Sequence, residues 1–466
     1  RAAVSRWWAP AYGALLVLSL TWPFLMPGEA FALRDMMVFD AMALTRASLG
    51  WGDLAARNVP QDALLGILPW PVAFVRVFMV AAAGCAAWAG YRFGRSPFGR
   101  AAAMAVAVWN PFVVERLLQG QWSLAAAAWL LPLVALGLVP ASGLAHWLAS
   151  LTPTGALAAA CFSRGWRGVA VSVCTCLPWV VAGVFAGTPG TSSAASAAAF
   201  APRAEAYAGT LGSLLGLGGI WNGQVVPASR ELGFALFGVA LCALLALAWR
   251  SVPRRFLLLA ALGFAVALAS WAGLTAPLIQ HLPGGGLLRD GQKWLILAIP
   301  AFVAAAGALE PRRALAAAAF ALLQVPDAPV ALAALAPTTV EVPAVDHRGR
   351  DVLFESRPAL VPIDGHPVVD PAPKAMNVVE SGALTVDGVA VDPPSLRWSA
   401  AQAALDNQAR LRELGVGVVV RADGSVTSTG APARPLPPAG VALFALWCMV
   451  PLIQCVQDHT TRKKHS

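Results

Sequence analysis

Residues 69–100 read Pro69-Trp70-Pro71-Val72-Ala73-Phe74-Val75-Arg76-Val77-Phe78-Met79-Val80-Ala81-Ala82-Ala83-Gly84-Cys85-Ala86-Ala87-Trp88-Ala89-Gly90-Tyr91-Arg92-Phe93-Gly94-Arg95-Ser96-Pro97-Phe98-Gly99-Arg100. The first 23 of these form an apolar run of the length a helix needs to cross a bilayer, roughly 20 residues. Arg92, Arg95 and Arg100 follow with no acid among them. The same unit recurs along the chain, with further apolar runs at 10–27, 100–114, 122–139, 168–186, 233–249, 256–273, 294–309, 313–331 and 438–456. Mean hydropathy is +0.66, 58% of residues are hydrophobic and 12% are charged, about half the charged share of an ordinary globular chain. Hydrocarbon leaves no partner for a free backbone amide, so runs this long must be helices; barrel strands would be shorter and alternating. The sequence therefore predicts an all-α polytopic membrane protein of about 10–12 transmembrane helices.

Basic residues set the sidedness. Arg1 and Arg6 precede the first run, Arg164 and Arg167 follow residue 163, and Arg250, Arg254 and Arg255 follow 233–249. Arg312 and Arg313 follow 294–309, and Arg462, Lys463 and Lys464 end the chain. Short loops rich in Lys and Arg stay in the cytoplasm. Keeping all of these on one side requires the weaker apolar stretch 141–163 to cross twice, giving about twelve helices. It is read as two short helices meeting near Pro153, because proline and its predecessor resist helix continuation. A single kinked helix would reverse everything downstream. Both termini are then cytoplasmic, and 28–68, 115–121, 187–232, 274–293 and 332–437 face outward. The +9 net charge is mostly this topology signal and calls for no nucleic acid.

Residues 332–437 read as a small extracytoplasmic α/β domain between a transmembrane module, 1–331, and a final transmembrane helix with a basic tail, 438–466. Strand-like runs cover Asp351–Leu360 and Val416–Arg421, and an amphipathic helix from Ser399 to Leu414 ends at Gly415. The N-terminal run, with Ala30-Phe31-Ala32 after it, also has the layout of a cleavable signal peptide. The seven cysteines form no CxxC or metal spacing and are read as small packing residues.

No Walker A, GxGxxG, HExxH or GxSxG motif is present. Three outer clusters carry the chemistry. Arg34-Asp35 precedes Met36 to Leu49, whose apolar spacing predicts a helix lying in the membrane interface. A carboxylate at its start could take a proton from an attacking sugar hydroxyl or simply cap the helix; Asp62 has the same two readings. The run Trp109 to Trp122 brings Glu115 and Gln119 toward the outer surface. The run Leu287 to Trp294 holds Arg289, Asp290, Gln292 and Lys293, and cations at that depth suit a lipid-linked phosphate. Trp221-Asn222 supplies an aromatic face for a sugar, Arg76 is a charge inside an apolar run, and His281 stands near the third cluster. Each cluster also has a plain reading as interfacial anchoring.

The Trp109–Trp122 run, the Trp221-Asn222 loop and Arg289–Lys293 together resemble the actinobacterial membrane glycosyltransferases of the GT-C class. The membrane part of the arabinofuranosyltransferases that build the mycobacterial and corynebacterial cell wall is the family the chain looks like. That resemblance implies a GT-C-like fold with 8–14 spans, a catalytic acid in the first outer loop, and a polyprenyl-phosphate sugar as donor. It also implies transfer to a cell-envelope glycan or glycolipid at the outer face of the plasma membrane. By position the acid is Asp35. Arg289 and Lys293 would hold the donor phosphate with support from Arg76 or His281. Glu115, Gln119, Trp221, Asn222, Asp290 and Gln292 would bind substrate. No motif calls for a metal; a divalent cation is the one cofactor left open. Residues 332–437 are small beside the carbohydrate-binding extension of those enzymes. Two other readings stay open, a transporter or flippase for lipid-linked sugars and a non-catalytic assembly protein.

Overall fold

A computed structural model describes residues 4–186, 193–282, 284–386 and 388–462, with side chains from Trp7 to Leu452. Arg1, the Arg6 side chain, part of the 187–232 loop, and Lys463 and Lys464 lie outside it. α1 (Val4–Leu25) leads into a hairpin, β1 (Ala30–Leu33) and β2 (Met36–Phe39). α2 (Gln61–Ile67), α3 (Pro71–Phe93), α4 (Pro97–Val108), α5 (Pro111–Leu118) and α6 (Trp122–Leu136) follow. Next come α7 (Ala141–Ala149), α8 (Pro153–Phe162), α9 (Gly165–Phe185), α10 (Ala194–Ala199), α11 (Gly209–Leu215) and α12 (Ala235–Ala246). α13 (Arg254–Trp271), α14 (Ala276–His281), α15 (Ile299–Ala308), α16 (Pro311–Leu323) and α17 (Ala328–Ala331) complete this part.

Among the described residues seven helices are long and apolar enough to cross a membrane. Proline opens several of them, where its missing N–H costs nothing. Ser96 and Asn110 cap α4 and α5 by accepting from the N–H of Gly99 and Val113, each at 3.0 Å. That cap divides the run expected as 100–114 into two stacked helices. Small residues let backbones close up: a Cβ on Gly90 would sit 2.7 Å from the Ala103 carbonyl oxygen, and one on Gly307 2.6 Å from that of Phe93. α3, α4, α6 and α15 thus form a tight inner bundle, with α9 and α21 (Pro438–Arg462) paired at its edge.

The basic segments meet at one end of the bundle. Arg95 donates to the Ser251 carbonyl at 3.3 Å, its N–H to Gly307 at 2.9 Å, and Arg255 reaches the Ser163 carbonyl at 2.8 Å. The 141–163 stretch is two short helices meeting at Pro153, as its sequence predicts, but arms of nine and ten residues are half the roughly 20 that a crossing needs, so it does not supply the two spans expected of it. Both its feet lie at this basic end, where His146 Nδ1 and Ser163 Oγ are 2.6 Å apart.

The first loop differs from the sequence expectation. Met36 to Leu49 is no interfacial helix: Met36–Phe39 is a wholly buried strand paired antiparallel with Ala30–Leu33, and turns and coil occupy 40–50. A strand enclosed on both faces loses the alternation that would reveal it, and its apolar residues then mimic helical spacing. Asp35 caps no helix; with Arg34, at φ +48°, it makes the hairpin turn.

Within 332–437, β3 (Asp351–Phe354) runs parallel to β8 (Val416–Val420), which pairs antiparallel with β9 (Val426–Ser428). Two hairpins, β4 (Leu360–Ile363) with β5 (His366–Val369) and β6 (Leu384–Val386) with β7 (Val389–Asp392), flank a single turn of helix, α18 (Ala372–Ala375). The strand expected over 351–360 stops at Phe354, before Pro358. The helix expected over 399–414 is two, α19 (Leu396–Ala403) and α20 (Gln408–Glu413), because Asn407 accepts from the Arg410 N–H and restarts it. Gly415, at φ +71°, ends α20 before β8 as expected. The first loop is stitched to this region: Arg46 meets buried Asp351 at 2.5 Å, Val369 N–H donates to the Arg34 carbonyl at 2.9 Å, and Ala30 and Thr338 exchange backbone bonds.

Candidate functional site

The β1–β2 turn rests on the end of α5. Asp35 N–H donates to the Gln119 carbonyl at 3.1 Å, and Arg34 reaches the Leu118 and Gln224 carbonyls at 2.9 and 3.2 Å. Gly120, at φ +80°, makes this approach possible: a Cβ there would lie 2.1 Å from the Leu33 carbonyl oxygen and 2.4 Å from the Met36 nitrogen. Asp35 is thereby fixed at the wall of a cavity of roughly 1720 Å³.

Two amides hold its carboxylate by one oxygen. Gln121 Nε2 donates to Oδ2 at 3.1 Å and Gln119 Nε2 at 3.3 Å. Each amide is itself oriented: Arg116 donates to Gln121 Oε1 at 2.7 Å, and Asn222 donates to Gln119 Oε1 at 2.8 Å. Oδ1 has no hydrogen bond among the described residues. The side chain is open to the cavity, yet protein encloses it at longer range. That burial pushes the Asp35 carboxyl above the usual carboxylate range, with Gln121, Gln119, Arg57 and Arg116 pulling the other way.

Arg116 organises the floor. It is fully buried, forks onto Asp290 with one bond of 3.0 Å, and also donates to Gln292. Burial alone would raise the Asp290 carboxyl, but the Arg116 charge holds it below its ordinary value. Gln292 passes the contact on to the Leu217 and Gly218 carbonyls, both at 3.3 Å. Below the same loop, Arg230 binds Glu205 at 2.9 Å and stands 3.6 Å from Glu115. Glu115 accepts from Ile220 N–H at 3.1 Å and Glu205 from Gly219 N–H at 3.3 Å. These buried charges shape the loop that presents Trp221 and Asn222 to the cavity. Trp221 meets Phe200 edge to face at 4.5 Å, and the Arg289 guanidinium lies 4.1 Å over Phe200.

The cavity therefore brings together Asp35, Gln119, Trp221, Asn222, Arg289, Asp290 and Lys293 from distant parts of the chain. Four expected residues do not line it. Glu115 and Gln292 are fully enclosed beneath the wall. Arg76 caps the end of α1 instead, donating to the Phe24 and Gly28 carbonyls at 2.9 Å each and lying 5.1 Å over Phe31. Its distance from water along the run made it look like a ligand group; a carbonyl-rich helix end satisfies the same charge. His281 is exposed on α14, away from the cavity.

Sequence reasoning missed Arg116, Gln121 and Arg57. Arg116 lies just past the apolar run 100–114, a weaker form of the signal that Arg76 gives from inside its run. Around Asp35 the cations are unequally matched: Arg289 and Arg57 share Asp392, at 2.7 and 3.5 Å, and Lys293 has no carboxylate within 4 Å among the described residues. Among those residues no group of three or more His, Cys, Asp or Glu is placed to hold a metal ion. Comparison of the chain with protein-family models, with curated proteins and with solved structures finds no match.

Proposed function

We propose that this protein is a membrane glycosyltransferase that moves a sugar, of arabinofuranose or mannose type, from a polyprenyl-phosphate donor to a cell-envelope glycan or glycolipid. One observation carries the reading: a carboxylate anchored through Oδ2, with Oδ1 left unbonded, faces the same cavity as an under-neutralised cluster of Arg57, Arg289 and Lys293. An acceptor hydroxyl loses its proton to Asp35 Oδ1 as its oxygen attacks the anomeric carbon. The bond from that carbon to the phosphate oxygen breaks, and the lipid phosphate leaves with the electron pair and its charge met by the cations. Direct displacement inverts the anomeric centre. The cavity end of the molecule faces outward and the basic end faces the cytoplasm, by the loop-charge rule.

Asp35→Asn keeps the shape and the amide contacts but cannot take the proton. Transfer by the purified protein should fall by about 10²-fold or more, with donor binding and thermal unfolding unchanged. Near-normal transfer in this variant would overturn the assignment. Because Asp35 works ionised and its carboxyl is raised by burial, transfer should rise with pH through a value above the ordinary carboxylate range. A reporter active only outside the cytoplasm should be active at position 400 and silent at the C-terminus. The opposite pattern would sink the orientation.

A further inference from the structure

The cavity has a second part, walled by residues 357–382 and 393–398 with the first loop, while Asp392 belongs to the side of Arg57 and Arg289. Its charges are arranged differently. Arg397 pairs with Asp53 at 3.2 Å, Lys374 with Asp62 at 2.7 Å, and Arg357 with Asp370 through bonds of 2.7 and 2.6 Å. Lys374 is 8% exposed, so its pair is sealed into the wall. Lys374 and Arg357 each have their own carboxylate, and Arg397 is held by two, Asp53 and, at 2.7 Å, the buried Asp351 that it shares with Arg46 and Arg434, so among the described residues no cation facing this space is left unpaired. One acid is left over: Glu380 has no cation within 4 Å and no side-chain hydrogen bond among the described residues, yet it lines the open space. Beside it are Ser381, the Pro393-Pro394 ledge and the half-buried Trp398. Flat apolar faces next to a free polar group suit a pyranose or furanose ring, which offers C–H on one side and hydroxyls on its rim.

From this contrast we infer that the part of the cavity walled by residues 357–382 and 393–398 is the acceptor subsite, that its ligand is an uncharged glycan, and that Glu380 is its hydrogen-bonding anchor. The inference rests on the transferase reading only for the word acceptor; the glycan site stands or falls by binding. Burial, with Asp53 alongside, pushes the Glu380 carboxyl up to about 8. At neutral pH it is therefore protonated and can both donate to and accept from sugar hydroxyls. The Glu380 backbone is tied on both sides, since its N–H donates to Asp53 at 3.2 Å and Ser395 Oγ donates to its carbonyl at 2.6 Å.

The test titrates the purified full chain with hexasaccharides of arabinofuranose and of mannopyranose, using a galacturonic acid hexasaccharide as the anionic comparator. Donor binding is measured on the same preparations. At least one neutral hexasaccharide should bind, more tightly than the anionic one. Glu380→Ala should weaken it by about tenfold without moving donor affinity, and Glu380→Gln, which keeps a donor and an acceptor, should stay near the parent. Thermal unfolding of both variants guards against a folding defect. No binding by either neutral glycan, equal loss of donor affinity, an indifferent Glu380→Ala variant, or preference for the anionic chain would each overturn the inference. Glycan binding without donor binding would instead sink the transferase reading and keep the subsite.

Discussion

The segments Pro97–Leu118 and Gly165–Phe185 are nearly equal in length, and both are apolar enough to span a membrane, yet over the 18-residue apolar stretch of each 94% of one is buried within the protein and only 17% of the other. The buried one has the lower hydropathy, 1.3 against 2.0. It is made of alanines such as Ala102, Ala103 and Ala105 and ends in the enclosed charges Glu115 and Arg116. α9 carries no charge beyond its first turn and turns Val169, Val173, Val184 and Phe185 outward. In water such a helix would be a large exposed apolar face. In lipid it is at home, and small residues and paired polar groups go inside, where helices must approach closely. Which apolar run lies inside is thus told by residue size and charge, with hydropathy pointing the wrong way.

The strongest way to break this contrast is Arg116→Ala. It leaves Asp290 buried without its partner, at a cost of about 3–5 kcal/mol, and frees the Gln121 amide from its orientation. Thermal unfolding in detergent should show a large loss; a parent-like midpoint would mean that the buried network is not a support. Next in size is Val173→Arg. A cation at the middle of a lipid-facing helix costs roughly 2.5–3.5 kcal/mol, so the fraction of chain inserted into membranes should drop. If α9 instead met water, insertion would not change. The gentlest probe adds the same bulk to both helices. Ala105→Leu overpacks the inner bundle by about 1–3 kcal/mol, whereas Ala170→Leu, on the exposed face of α9, should stay within about 0.5 kcal/mol. Equal effects at the two positions would erase the difference.

Much of the helical layout could be read from the residues, for identifiable reasons. Prolines at helix starts and the Ser-Leu-Thr-Pro break at 150–153 act through local backbone rules, which tertiary contacts rarely override. The Gly415 stop worked for the same reason. The strand at Met36–Phe39 was hidden, because its pairing with Ala30–Leu33 and its enclosure by the bundle are long-range facts. Asp35 could be picked from its place in the first loop, but what holds it could not. Gln121 is tied by Arg116, and Arg116 by Asp290, which lies 174 positions away. Arg76 and Arg116 are both cations beside apolar runs, and only packing shows that one caps a helix and the other holds Gln121 and Asp290.

The α7–α8 hairpin has a consequence of an electrical kind. Its arms have nine and ten residues, ~14–15 Å of helix, and Thr152, Pro153 and Thr154 at its tip line the cavity. In a membrane with a hydrocarbon core of ~30 Å, water filling that cavity would carry the potential of the side it opens to about halfway in. The voltage would then fall mainly across the hairpin and its neighbours. Moving one charge through the full drop is worth ~2.3 kcal/mol per 100 mV, so on the proposed transferase reading a donor phosphate beside Asp35 would be spared most of that energy. The hairpin can bear the steep field because between residues 141 and 163 it holds no Asp, Glu, Lys or Arg.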